Sequence, residues 1–231
     1  MGIKGFQGTS LLDFPGRIAS LVFYGGCNLT CPYCHNPSLV LTPDELDDYP
    51  VPALVEDLAR RRTFIDGVVV SGGEPTIDKG LLPLLSQIKA LGLLVKLDTN
   101  GLEPKVLKEA IWEGLVDFVA IDLKTSPARY QELHPGKVDI ARLAKSVRLL
   151  LDSPVDYEFR TTCVPTLVGQ PEIRDLGEMI RGAHRWVLQQ FVPQHSLAQS
   201  AREIPPCSAE ELGLLAETAR QYVDEVALRG L

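Results

Sequence analysis

The sequence predicts an α/β fold: a partial (β/α)6 barrel of TIM type, with parallel strands and one open side. Three observations lead there. Apolar, β-branched runs alternate with helical patterns along the chain, which is the signature of βαβ units. The runs are hydrophobic almost without interruption, as strands of a covered parallel sheet are. Six such units fall short of the eight that close a full barrel of about 250 residues. At 231 residues and 45 % hydrophobic content, the chain can build one well-buried core, and Gly and Pro are spread without a low-complexity block. A single domain over residues 1–231 is expected.

Residues 1–17, with Gly5-Phe-Gln-Gly-Thr-Ser10 and Asp13-Phe-Pro-Gly16, are expected to form a short hairpin or loop before the first buried strand. Strands are expected at about 19–24, 68–70, 93–97, 118–123, 157–164 and 186–192. Helices are expected at 52–62, 79–91, 104–113, 140–151, 172–181 and 209–229. The last of these carries Leu212, Leu215, Ala219, Tyr222, Val223 and Val226 on one side and reads as an amphipathic closing helix.

A net charge of -7 argues against a nucleic-acid partner held by a broad basic face. The basic run Arg60-Arg61-Arg62 reads as the solvated C-terminal end of a helix, where cations complement the dipole. No apolar run approaches bilayer length and no signal-peptide pattern opens the chain, so neither a membrane partner nor export is expected. The expected location is the cytoplasm, where thiols stay reduced.

Three of the five cysteines fall within eight positions, in Gly25-Gly-Cys27-Asn-Leu-Thr-Cys31-Pro-Tyr33-Cys34-His35-Asn-Pro37. This C-x3-C-x2-C run directly follows an apolar stretch, so it reads as a loop leaving a strand, with two glycines that let the backbone turn. Three thiolates suit an iron-sulfur cluster with one iron left open for chemistry. Structural zinc would have to recruit a fourth ligand from His35, Cys163 or Cys207, and the cluster is the favoured reading. A disulfide framework is set aside on compartment and count.

The other polar signals also fall just past strand ends, where parallel α/β folds bind ligands. Ser71-Gly72-Gly73-Glu74-Pro75-Thr76 offers bare backbone for close approach and a carboxylate for an ammonium group; by itself it is also compatible with a tight turn. Asp98-Thr99-Asn100-Gly101 places a carboxylate that is either a ligand-site residue or the N-cap of the next helix. In Asp122-Leu123-Lys124 the lysine is placed to meet a ligand carboxylate, with Asp122 balancing its charge. Alternation puts Glu158, Arg160 and Thr162 on one face of the fifth strand. Arg160 is either a cavity residue or a partner for Glu158, and His195 either a site residue or a satisfied loop histidine. Cys163 reads as core or cavity wall, Cys207 as incidental, and His134 and His184 as surface or loop residues.

These motifs together resemble the radical S-adenosylmethionine superfamily, and over nearly the whole chain the glycyl-radical-enzyme activating proteins. The opening Gly5 to Gly16 is similar to the branch that activates anaerobic ribonucleoside-triphosphate reductase; Cys27 to Pro37 is similar to that branch and to pyruvate formate-lyase activating enzyme. The resemblance implies that Cys27, Cys31 and Cys34 ligate one 4Fe-4S cluster and that Tyr33 and His35 lie along the adenosyl group of S-adenosylmethionine. Gly72, Gly73 and Glu74 would hold the methionyl amino group, and Lys124 the carboxylate. Asp98 and Asp122 match a pair that surrounds a monovalent cation in the pyruvate formate-lyase relative, and His195 matches a cofactor-side histidine.

The implied activity is that of an anaerobic oxidoreductase. It would cleave S-adenosylmethionine reductively and generate a glycyl radical on a partner enzyme, with a flavodoxin- or ferredoxin-type protein as reductant. The partner would be anaerobic ribonucleoside-triphosphate reductase, or alternatively another glycyl radical enzyme such as pyruvate formate-lyase. Two isolated further cysteines argue against auxiliary clusters. The competing readings are a radical S-adenosylmethionine enzyme acting on a small molecule, such as a deazapurine-forming synthase, and a non-catalytic metal or electron-transfer module, which would need neither Gly72-Gly73-Glu74 nor Lys124.

Overall fold

The computed structural model describes residues 2–231. Among them the strands β1 (Ile3–Ser10), β2 (Ala19–Tyr24), β3 (Gly67–Gly72), β4 (Leu94–Thr99), β5 (Phe118–Asp122), β6 (Asp156–Cys163), β7 (Arg185–Gln190) and β8 (Glu225–Arg229) form one sheet in chain order. The helices are α1 (Pro37–Leu41), α2 (Val51–Arg61), α3 (Leu81–Ala90), α4 (Pro104–Trp112), α5 (Ile140–Leu151), α6 (Gln170–Met179), α7 (Gln199–Arg202) and α8 (Ala209–Ala219). The α/β class with a mostly parallel sheet is thus as the sequence predicts, and β2 to β7 fall on the six expected runs. No helix among the described residues is long and apolar enough to cross a membrane.

Contacts divide the chain into two units: Met1–Asn28 with Ser38–Thr99 and Lys105–Val119, and Leu29–Pro37 with Asn100–Pro104 and Ala120–Leu231. In the first, β1 runs antiparallel to β2, with Gln7 opposite Leu21, and β2, β3 and β4 run parallel, aligning Leu21, Val69 and Lys96. The N-terminal segment is therefore a full strand of the sheet. Ala19, Leu21 and Val69 bury one face together with Phe14, which the loop after β1 supplies, and Phe23, Leu94 and Phe118 pack against them. Phe14 meets Phe118 edge-on at 6.0 Å, the geometry aromatic quadrupoles favour. The arginine run ends α2 as expected: Arg60 bonds Glu56 one turn back at 2.7 Å, and the Arg61 guanidinium lies over the Phe6 ring.

In the second unit β6, β7 and β8 are parallel, aligning Arg160, Val187 and Ala227. Trp186 is fully buried and donates Nε1–H to Thr161 Oγ1 at 3.0 Å, so the polar end of the ring is satisfied. Asp139 caps α5 by accepting from Ala141 N. Ser208 and Glu211 close a reciprocal capping box on α8, satisfying two donors that a bare helix start leaves open.

The C-terminal segment departs from expectation. The helix expected over 209–229 stops at Ala219, and Glu225–Arg229 becomes β8. Leu212, Leu215 and Ala219 are buried as the helical pattern requires. Beyond them Glu225, Ala227 and Arg229 alternate with Val226 and Leu228, a period of two. The open edge of β7 supplies the partners, from Arg185 opposite Glu225 to Gln189 opposite Arg229. A periodicity search along one segment does not see a sheet edge contributed by another.

Candidate active site

In the first unit, β2 ends at Tyr24 and the chain turns through Gly25 and Gly26 into half-buried Cys27. Beside it, β3 ends in Gly72-Gly73-Glu74. Gly73 N donates to Tyr24 O and Glu74 N to Gly26 O, both at 2.8 Å. A Cβ on Gly73 would lie 2.0 Å from Gly26 O, and Gly72 has φ +121° with Tyr24 backbone 2.4 Å from where its Cβ would be. The two glycines are therefore dictated by one strand-end loop crossing another, independently of any ligand. Glu74 is buried, and its Oε1 accepts from Thr76 N at 3.1 Å, Thr76 Oγ1 at 2.5 Å and Thr99 Oγ1 at 2.7 Å. The carboxylate ties the ends of β3 and β4 together. Asp98 lies within β4 as a strand residue, so it is not the cap of the following helix, and its Oδ1 pairs with the fully buried Lys96 ammonium.

In the second unit Cys31 is buried and accepts through its carbonyl from Cys34 N at 3.0 Å. Tyr33, between them, is buried edge-on to Phe191 and donates its hydroxyl to Lys124 O at 3.4 Å. His35 stacks on the same Phe191 and bonds Val192 O through Nε2 at 2.7 Å, a contact that requires the proton on that nitrogen. Lys124 is held from its backbone by Tyr130, whose hydroxyl accepts from Lys124 N at 3.0 Å. Its ammonium stands 3.5 Å from Asp122 Oδ2, while Asp122 Oδ1 accepts from Arg160 Nε at 2.8 Å.

Charge and burial compete around these groups. Burial pushes the Cys31 thiol up, the Lys124 ammonium pulls it back toward thiolate, and Cys34 and Asp122 add to the rise. Burial opposes the Lys124 charge, but the Asp122 carboxylate outweighs it and holds this lysine well above its ordinary range. It is a permanent cation. The Tyr33 hydroxyl is likewise pushed well up by burial and stays neutral.

The expectation that Asp122 balances Lys124 is met. Arg160 bonds Asp122, and the fully buried Glu158 faces Arg185 at 3.8 Å and Arg229 at 3.7 Å. Strand β8, absent from the sequence reading, supplies that second guanidinium. His195 is exposed on the short turn Pro193–His195. Cys163 is core as expected, whereas Cys207 is buried against it, Sγ donating to Cys163 O at 3.5 Å. His134 meets Thr30 of the cysteine loop at 3.2 Å, and His184 is exposed beside Asp224. The sequence reading missed Lys96, Thr76, Thr99 and Tyr130. Alternation offered a signal for Lys96 alone, two residues before Asp98 on the same face.

The donor set fits a thiolate-held cluster. None of the five cysteines is held in a disulfide, and three lie in one loop. Among the described residues no three His, Cys, Asp or Glu side chains are grouped for a single metal ion; a cubane cluster, by contrast, takes each thiolate on a different iron.

The sequence profile of the Radical SAM superfamily matches residues 21–181. The chain is 31 % identical over 98 % of its length to an inferred glycyl-radical enzyme activating enzyme of Methanocaldococcus jannaschii, covering 95 % of that protein. It is 29 % identical over 85 % of its length to the pyruvate formate-lyase-activating enzyme of Streptococcus mutans, covering 78 % of that protein. The fold is similar to that of Streptococcus suis SuiB bound to S-adenosylmethionine, with TM-score 0.67 and 18 % identity over 91 % of this chain, which spans 52 % of that one. The chain belongs to the radical SAM superfamily, in its family of glycyl-radical enzyme activating enzymes.

Proposed function

We propose that this single-domain chain is a cytoplasmic activase that makes a glycyl radical on a partner enzyme, and that the partner is anaerobic ribonucleoside-triphosphate reductase. The activase reading is carried by the full-length likeness to a glycyl-radical enzyme activating relative, and the choice of the reductase as partner rests on the resemblance of Gly5 to Gly16 alone. Relatives named 7-carboxy-7-deazaguanine synthase, such as that of Hyperthermus butylicus, match only 56–61 % of the chain.

On this reading Cys27, Cys31 and Cys34 hold a 4Fe-4S cluster. Such a cluster, reduced by a flavodoxin- or ferredoxin-type protein, would supply the single electron for reductive cleavage of S-adenosylmethionine, the chemistry that would lead to hydrogen abstraction from the partner's glycine. The protein positions and excludes water. Lys124, a permanent cation, receives the cofactor carboxylate. Gly72 and Gly73 bring bare backbone to the amino group, with the charge of Glu74 behind them. Tyr33 and His35 line the adenosyl side, fixed by Phe191 between them, and His195 closes that side.

The test is anaerobic: reconstitute the cluster, reduce it, add S-adenosylmethionine, and follow deoxyadenosine and the electron spin resonance of the reductase. A glycyl doublet on the reductase is the expected result. A doublet on pyruvate formate-lyase alone would replace the partner, and deoxyadenosine without any protein radical would favour a small-molecule substrate.

A further inference from the structure

The resemblance assigns the carboxylates Asp98 and Asp122 to a bound monovalent cation, yet on the Asp98 side the chain carries a cation of its own. Lys96 sits in the middle of β4, its side chain 1 % exposed, with its ammonium on Asp98 Oδ1. Alternation along the strand explains the pairing, since residues two apart share a face. The face of Phe118 lies 5.9 Å from the same nitrogen. A buried ammonium is costly unless paired and hydrogen-bonded, so this charge stays with its carboxylate. A sodium or potassium ion on that carboxylate would stand against a fixed like charge with little water to screen it.

We propose that Lys96 is a positioning residue: its ammonium takes the place beside Asp98 that a monovalent cation would fill, so the chain binds S-adenosylmethionine without one. The role given to the cofactor rests on the activase reading, whereas the occupancy of the Asp98 carboxylate does not.

The deciding measurement is 23Na line width on the cluster-loaded protein in choline buffer, titrated with sodium and then potassium, before any S-adenosylmethionine is added. Wild type is expected to show no saturable broadening that potassium displaces, and Lys96→Met to gain one. The double variant Lys96→Met/Asp98→Asn is expected to lose it again. Saturable, displaceable broadening in wild type overturns the proposal, even should Lys96→Met fail to fold. A folded Lys96→Met that gains nothing overturns it too, as does a gain that survives removal of the Asp98 charge. S-adenosylmethionine affinity is then measured in choline and in potassium. Equal affinity is expected for wild type, and potassium-dependent affinity for Lys96→Met. Potassium-dependent affinity in wild type overturns the proposal, while absence of cofactor binding in either buffer overturns the activase reading and leaves the sodium result standing.

Discussion

Arg160 Nε donates to Asp122 Oδ1 at 2.8 Å, and the backbone repeats the link where Leu123 N donates to Arg160 O at 2.7 Å. One residue of β6 thus fixes both the main chain just past β5 and the carboxylate that faces Lys124. Arg160 and Lys124 thus share the Asp122 carboxylate, one on each oxygen, with the Lys124 ammonium at 3.5 Å. Arg160→Met is expected to let Asp122 close on Lys124 and to weaken S-adenosylmethionine binding by roughly tenfold or more, the effect of about one lost charge contact. Equilibrium binding to the reconstituted protein checks this, with circular dichroism confirming an intact fold. Unchanged affinity would show that Asp122 needs no clamp.

Loss of one thiol from the cysteine loop is expected to prevent stable cluster assembly. Cys27→Ala, Cys31→Ala and Cys34→Ala should each lose the cluster's visible absorbance and nearly all bound iron. Cys163→Ala and Cys207→Ala should keep both, because both residues are buried outside the cysteine loop, with the Cys207 thiol donating to Cys163 O. Iron content after anaerobic reconstitution separates the two groups, and a fully loaded Cys31→Ala would remove that residue from the ligand set.

Gly73→Ala places a methyl group 2.0 Å from Gly26 O, and neither backbone can yield without moving the cysteine loop. The expected loss is on the order of 3 kcal/mol, at the upper end for overpacking, read as a lower denaturant midpoint. Glu74→Gln keeps the shape but presents a weaker acceptor to Thr76 and Thr99. It should cost about 1–2 kcal/mol. A Gly73→Ala protein as stable as wild type would mean that the two strand ends are looser than their hydrogen bonds indicate.

Cys163 titrates late. Burial first, and Cys207 second, push its thiol from the ordinary 9.0 up to about 12. The folded state then holds this proton more tightly than the unfolded chain. Its contribution to stability is full below about pH 9 and declines as pH rises toward 12. At pH 8 only about one thiol in 10^4 is thiolate, so iodoacetamide should label Cys163 only in denaturant. Labelling of the native protein at the rate of a free thiol would contradict the burial.

Much of the site was legible because its chemistry is local in sequence. The three cysteines are spaced by the loop that carries them, and Gly72-Gly73-Glu74, Asp98 and Asp122-Leu123-Lys124 each close a continuous apolar, β-branched run that reads as a buried strand. Lys96 was not legible in the same way, because a lysine inside an apolar run gives no sign of whether its ammonium reaches solvent or a carboxylate. Glu74 is similar: its charge was visible, but its engagement by Thr76 and Thr99 depends on β3 and β4 ending side by side.

The sequence by itself determined the thiol set, the runs that become strands β2 to β7 and the positions of the polar groups at their ends, since hydrophobic patterning and loop spacing are properties of single segments. Only the tertiary structure decided that residues 225–229 extend along β7 instead of continuing a helix, that Arg160 serves Asp122 while Glu158 faces Arg185 and Arg229, and that Asp98 carries the Lys96 ammonium. A free sheet edge and a buried charge each take whichever partner the fold brings within reach, and that choice is not written in any one stretch of chain.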